Sequence, residues 1–413
     1  VKKKIFVKGP VLSQSGYGVQ SRFALRALRA HEDRFEIYIH PITWGETGWI
    51  WEDDDFRNWM DERITQTAIL SQQKVLAPEI SLQITIPNEW EKMCQINIGY
   101  TAGIETTNVS PQWLVKGNDM DKVLVVSEHA KRAFVETTAA AKNNQTGEEV
   151  PYKIETPIEV VHENSVICDP TPIEGFDLAN KFNFLMVSQM GPRKNMENAV
   201  RWWVEEFIDQ DVGLVVKTHF RGSSVIDREA TYNYFEKLLA DYKDRKCKVH
   251  VLHGDLSDAQ MSWLYRHDKI KCLVNIAHGE GFGLPLYEAA MASLPIITIG
   301  WSGQKDILEH GGKQYFTGVN YGLQPIQKEA EWKGVLEPGT QWAFADQGSY
   351  KMALRKVKKK WKAAKKLADE LQPLVAEKFN NEKLYENFCN AVYEPDPEVE
   401  EWLSELEEMV ELD

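Results

Sequence analysis

Residues 272–300, CLVNIAHGEGFGLPLYEAAMASLPIITIG, constrain this chain more than any other stretch. The apolar run 272–275 predicts a buried strand, and the β-branched run 294–299 predicts a second. Between them, 277–283 holds three glycines. Pro285 suits a first helical turn, where its missing N–H costs nothing, and 286–293 is built of helix formers. Strand, glycine loop, helix and strand aim backbone N–H groups at one point. The amides of Gly281, Phe282, Gly283 and Leu284 then form an anion site at a helix N-terminus, where phosphate is the usual occupant. Glu280 precedes the helix and Glu288 lies one turn inside it. A carboxylate repels phosphate, so both are better suited to accept from hydroxyls, as on a ribose or hexose. A phosphate loop between two hydroxyl-binding carboxylates suits a nucleotide sugar.

A length of 413 residues allows two large domains, and 43% hydrophobic content supports real cores. The net charge of −14 argues against a protein coated with nucleic acid, while leaving a local basic groove open. Five scattered cysteines are odd in number and lack metal spacing, which fits a reducing, cytoplasmic setting. The opening VKKKIFVKGP has no signal-peptide core, and no apolar run approaches the ~20 residues of a membrane span.

From the N-terminus, a strand at 4–8 leads into the loop Ser13-Gln14-Ser15-Gly16-Tyr17-Gly18 and a helix. Further strands are expected at 35–40, 82–86, 96–100, 122–127 and 158–162. Glu105 follows the fourth of these six, either facing the cleft where open α/β sheets bind ligands or capping a helix. Tyr17 is read two ways, as a cleft residue or as part of a plain turn. The acidic run Asp53-Asp54-Asp55 lacks a preceding apolar strand and reads as a solvated turn. Residues 139–152 read as a mobile surface insertion. After a linker at 169–172, strands at 182–188, 213–218 and 249–253 alternate with helices, a doubly wound parallel pattern. Arg193 and Lys194 precede a helix and add two charges to a site already positive. Lys217 ends its strand near the same place. His278 is a donor to phosphate or a sugar hydroxyl, set behind the loop. Residues 351–366 carry nine Lys/Arg and no acid, and 394–413 carry ten acids.

Glu280-Gly281-Phe282-Gly283-Leu284-Pro285 followed by Glu288 resembles the E-x7-E signature of retaining glycosyltransferases of family four. That resemblance implies an α/β GT-B fold: two facing Rossmann-like doubly wound domains with a cleft between them. The expected division is 1–177 on the acceptor side, 178–391 on the nucleotide-sugar side with C-terminal helices, and an acidic tail at 392–413. It implies transfer from a nucleotide sugar, a UDP-sugar by family habit, to an acceptor hydroxyl, with no cofactor and no metal. Arg193 and Lys194 would hold the donor diphosphate, with Asn195 as cap, Glu288 the ribose and Glu280 the transferred sugar. Gly16 and Gly18 would lie near the donor phosphates or the acceptor. Relatives carry a glycine soon after the position of His162; here Glu163-Asn164-Ser165 follows. The architecture also resembles bacteriophage-encoded glycosyltransferases, so the acceptor is either a glycan or a hydroxymethylated DNA base, and in the latter case the setting is a host cytoplasm. The basic helix would then track DNA phosphates. A non-catalytic nucleotide- or sugar-binding protein on the same fold is the remaining reading.

Overall fold

The computed structural model describes residues 2–142 and 148–394. Two six-stranded sheets dominate it, and every strand pair in both is parallel. The first contains β1 (Lys3–Gly9), β2 (Phe35–Pro41), β3 (Ile80–Ile84), β4 (Ile96–Thr101), β5 (Lys122–Val125) and β6 (Ile158–Val160), in the order β2-β1-β3-β4-β5-β6. The second contains β7 (Asn183–Val187), β8 (Gly213–Thr218), β9 (Lys248–His253), β10 (Ile270–Asn275), β11 (Ile296–Ile299) and β12 (Thr317–Val319). Its order is β9-β8-β7-β10-β11-β12, so the sheet reverses direction between β7 and β10. Helices cover both faces, which is why the central strands read as continuous apolar runs instead of alternating ones. β7, for example, is buried from Asn183 to Met186.

Ligands bind open parallel sheets at the carboxyl ends of the strands where the order reverses. In the second sheet that crevice is flanked by the segments after β7 and β10, which carry Arg193-Lys194 and 277–283. In the first sheet the reversal lies between β1 and β3, so the loop after β1 delivers Ser15, Gly16 and Tyr17 to the equivalent place.

Several expectations are corrected. The helix Asn381–Val392, assigned to the second domain, packs on Gly16–Ala30 of the first; Phe388 lies 5.8 Å from Phe23 and 5.6 Å from Tyr100. Its buried face of Leu384, Phe388, Cys389 and Val392 completes the first core. An 18-residue helix, Asp55–Gln72, was not foreseen, because only Trp59, Met60 and Thr67 of it are buried and its periodicity is weak. The acidic run starts that helix: the Asp54 carboxylate accepts from the Arg57 amide at 2.7 Å. Residues Ala139–Lys142 and Glu149–Tyr152 of the expected insertion pair as antiparallel strands, and 143–147 lie outside the described residues. The basic stretch breaks at Lys360 into Gln347–Lys359 and Trp361–Lys378. Its first part packs on Met196–Phe207, with Lys351 paired to Glu205 at 2.6 Å and Arg355 to Glu206 at 3.1 Å. Most of the acidic tail lies outside the described residues. Among the described residues, no helix is long and apolar enough to cross a membrane.

Candidate active site

The two crevices face each other across a cleft of about 520 Å³. Glu280, Glu288, Arg193, Lys194, Lys217 and Gly281 to Leu284 line one wall; Gly16, Tyr17 and Glu105 line the other. Gly18 and His278, both expected to bind donor, are not on this surface. A Cβ at Gly18 would come within 1.8 Å of the Ser13 carbonyl, so this glycine is there for helix–loop packing. His278 is buried at 1% exposure behind the loop. Its Nδ1 bonds the Ala343 carbonyl at 2.8 Å, its Nε2 meets Gln327 at 2.8 Å, and its ring stacks on Trp342. Burial lowers its pKa, and both nitrogens are taken by the protein.

The glycine loop turns as expected but for an added reason. Gly283 has φ +104° and precedes the helix Leu284–Met291, a conformation that favours glycine. Gly279 and Gly281 are hemmed in by the first domain: Cβ atoms there would meet Glu105 at 2.8 Å and the Ala102 carbonyl at 2.5 Å. Small size at these positions lets the two walls close. Among the described residues nothing accepts from the amides of Gly281, Phe282 or Gly283. Three donors at a helix N-terminus therefore face the cleft unspent, the arrangement that binds anions.

Glu280, expected as a sugar partner, is already paired within the protein. It is 4% exposed, and its carboxylate receives Arg193 Nη1 at 2.8 Å and Asn275 at 3.0 Å. Lys194 Nζ reaches both oxygens at 2.7 Å. A carboxylate has about four acceptor positions, and these bonds occupy them. Burial alone would raise its pKa, but Lys194 and Arg193 outweigh burial and hold it at about 2. Arg193 also meets Glu105 at 3.2 Å and donates to the Gly279 carbonyl at 2.6 Å, tying the cations to both domains. Asn195, expected as a side-chain cap, caps nothing; it adopts the left-handed conformation and donates to the Ile276 carbonyl at 3.1 Å.

Glu288 is in a different state. Ser165 donates to it at 3.0 Å, yet burial dominates and pushes its pKa up to about 7. Lys217, also on this wall, has its pKa lowered by burial. Tyr17 bonds Thr101 at 2.7 Å, and its phenol pKa is raised by burial.

Among the cleft residues that sequence reasoning missed are Glu163, Trp332 and His219. Glu163 is 3% exposed, its Oε2 has no partner among the described residues, and burial pushes its pKa up to about 8. The one signal was an acid directly after an apolar strand, in place of the small residue that relatives carry nearby. Trp332 comes from the loop 326–340, between Tyr321–Pro325 and Gln341–Ala345. His219 follows β8, and burial lowers its pKa.

Residues 175–321 match the family model described as "Glycosyl transferases group 1". No curated protein matches the chain significantly in sequence. Among solved structures, sucrose-phosphate synthase from Thermosynechococcus elongatus superposes with TM-score 0.61 at 13% identity, covering 94% of this chain and 98% of that one. Anabaena HepE in complex with UDP and glucose gives 0.58 at 12%, with coverages of 94% and 98%. The trehalose-6-phosphate protein of E. coli, bound with UDP-2-fluoro glucose, gives 0.56 at 12%, with coverages of 96% and 100%. The chain thus has the GT-B fold of two facing Rossmann-like domains, and 175–321 within it match the group 1 glycosyl transferases.

Proposed function

We propose that this protein is a retaining glycosyltransferase that moves a sugar from a UDP-sugar to an acceptor hydroxyl without a metal ion. The observation that carries the reading is the set of unspent amides at 281–283, which share one cleft with Arg193, Lys194 and Glu288. Charge growing on a departing diphosphate would be met by preorganised N–H donors and two cations, the largest kind of catalytic contribution. Glu280 holds those cations in place while the Gly281 to Gly283 amides supply the rest of the cradle. Glu288 accepts from ribose hydroxyls. The retaining course and metal independence rest on the family resemblance, and the uridine base also on the UDP and UDP-sugars bound by similar folds.

For the acceptor, a neutral hydroxyl compound is favoured over a DNA base. The basic stretch meant to track DNA phosphates spends Lys351 and Arg355 on Glu205 and Glu206. Turnover of a panel of nucleotide sugars, with calorimetric titration of UDP, tests the reading. UDP-sugar hydrolysis or transfer is expected. Absence of turnover of any donor, with UDP still bound, would leave a binding protein instead of an enzyme. Absence of UDP binding would remove the donor site.

A further inference from the structure

The hairpin Tyr321–Pro325 and Gln341–Ala345 belongs to the second domain by chain order, but its loop 326–340 reaches across to the first. Asn88 donates to the Gly334 carbonyl at 2.9 Å, Ser110 to Glu337 at 2.8 Å, and the Thr107 amide to the Gln341 carbonyl at 2.8 Å. Val335 is 6% exposed within the first domain's core, next to Trp113 and Ile104. A strap held to the first domain by hydrogen bonds at Gly334, Glu337 and Gln341, with the apolar anchor Val335 among them, is a built part of the site. It leaves Trp332 half-exposed on the cleft, whose lining also includes the edge-to-face pair Tyr17 and Trp44, with rings 4.9 Å apart.

The same cleft has Glu163, a buried carboxyl with one oxygen unmatched. Buried polar atoms in native proteins are normally hydrogen-bonded, so an enclosed orphan on a residue that lines a cleft calls for a partner that the protein does not supply. The carboxyl is protonated at neutral pH because burial disfavours its charge, so it meets a neutral partner without a charge penalty. The half-exposed Trp332 ring and this neutral hydrogen-bonding group match a ring with apolar faces and hydroxyl edges. They give no counter-charge to a phosphate.

We propose that the strap 326–340 and the first domain together form the acceptor subsite, with Trp332 stacking on a neutral sugar ring and Glu163 bonding one of its hydroxyls. This rests on the glycosyltransferase reading and adds the acceptor class and the residues that select it. The test uses the whole protein, UDP-glucose as donor, and p-nitrophenyl glycosides as acceptors, with duplex DNA containing hydroxymethylcytosine as a separate arm. At least one glycoside is glycosylated, and Trp332→Ala raises its KM about tenfold, the size expected for losing an aromatic face. Trp332→Phe restores most of the loss. Glu163→Leu raises the same KM, Glu163→Gln restores it, and the Kd for UDP stays the same in all four variants. Equal KM values across the set, transfer to DNA alone, or no transfer to any glycoside while UDP still binds would each overturn the acceptor subsite. Loss of UDP binding by the unmodified protein would overturn the donor reading instead.

Discussion

Of the carboxylates that line the cleft, Glu280 is held low while Glu163 and Glu288 are pushed up by burial, and each of the three makes a prediction. Glu280 has an ordinary value of 4.5 and is held at about 2 by Lys194 and Arg193 against the opposing effect of burial. It contributes stability that is fully present above about pH 4.5 and is lost as pH falls toward 2. Glu280→Ala strands two partly buried cations, although Arg193 keeps Glu105, and is expected to cost about 3 kcal/mol, the lower end for a broken buried pair, in urea denaturation at pH 7. A loss below ~1 kcal/mol would show that the pairs break even with hydration. Glu163 has the opposite sign. Its native pKa of about 8 lies above the ordinary 4.5, so the folded state binds the proton more tightly and stability falls as pH rises between those values. Glu163→Gln removes that dependence. The variant should gain on the wild type by at most ~1.4 kcal/mol per pH unit across that window; a constant difference would mean that the carboxyl is solvated. Glu288→Ala removes a hydrogen-bond acceptor for the ribose and should weaken UDP binding about 10- to 150-fold. Unchanged calorimetric affinity in a folded variant would take Glu288 out of the donor site.

At the scale of elements, the loop 277–283 is shaped twice over. The turn into Leu284–Met291 needs a left-handed residue, and the close approach of the first domain needs residues without a side chain. Gly281→Ala is therefore expected to act on the cleft more than on the helix. Its Cβ would lie 2.5 Å from the Ala102 carbonyl, and the walls must part to relieve the overlap. Overpacking of this kind costs about 1–3 kcal/mol. The informative readout is turnover, which should drop while the helix content seen by circular dichroism is kept. Full turnover would show that the walls already stand further apart in solution. The basic stretch carries the opposite lesson. Its lysines and arginine look like a phosphate track when read along the chain, yet Glu205, Glu206 and Gln210 of a neighbouring helix take up Lys351, Arg355 and Lys358.

In the whole molecule, the chain crosses between its two lobes more than once. The strap 326–340 returns to the first domain, and Asn381–Val392 closes that domain's core. Phe388→Ala opens a cavity between Phe23 and Tyr100 and should cost about 3–5 kcal/mol, the usual range for a buried phenylalanine. The loss should fall on the first domain's unfolding transition and leave UDP affinity intact, because the proposed donor wall belongs to the second. An equal shift of both transitions in calorimetry would mean that the lobes unfold as one. The sequence by itself determined the alternation of strands and helices, the parallel doubly wound plan, and the strand, glycine loop and helix that carry Glu280 and Glu288. These follow from contacts a few residues apart: β-branched runs, a proline at a first turn, glycines where the backbone must bend. Only the tertiary structure decided that Glu280 is paired with Arg193 and Lys194, that His278 is closed off, that Glu163 on the cleft keeps an unmatched oxygen, and that the helix Asn381–Val392 belongs to the first core. Those outcomes depend on which distant side chain arrives beside a given charge or apolar face. Burial and pairing energies are settled by such neighbours, some of them hundreds of residues away along the chain, as Phe388 is from Phe23.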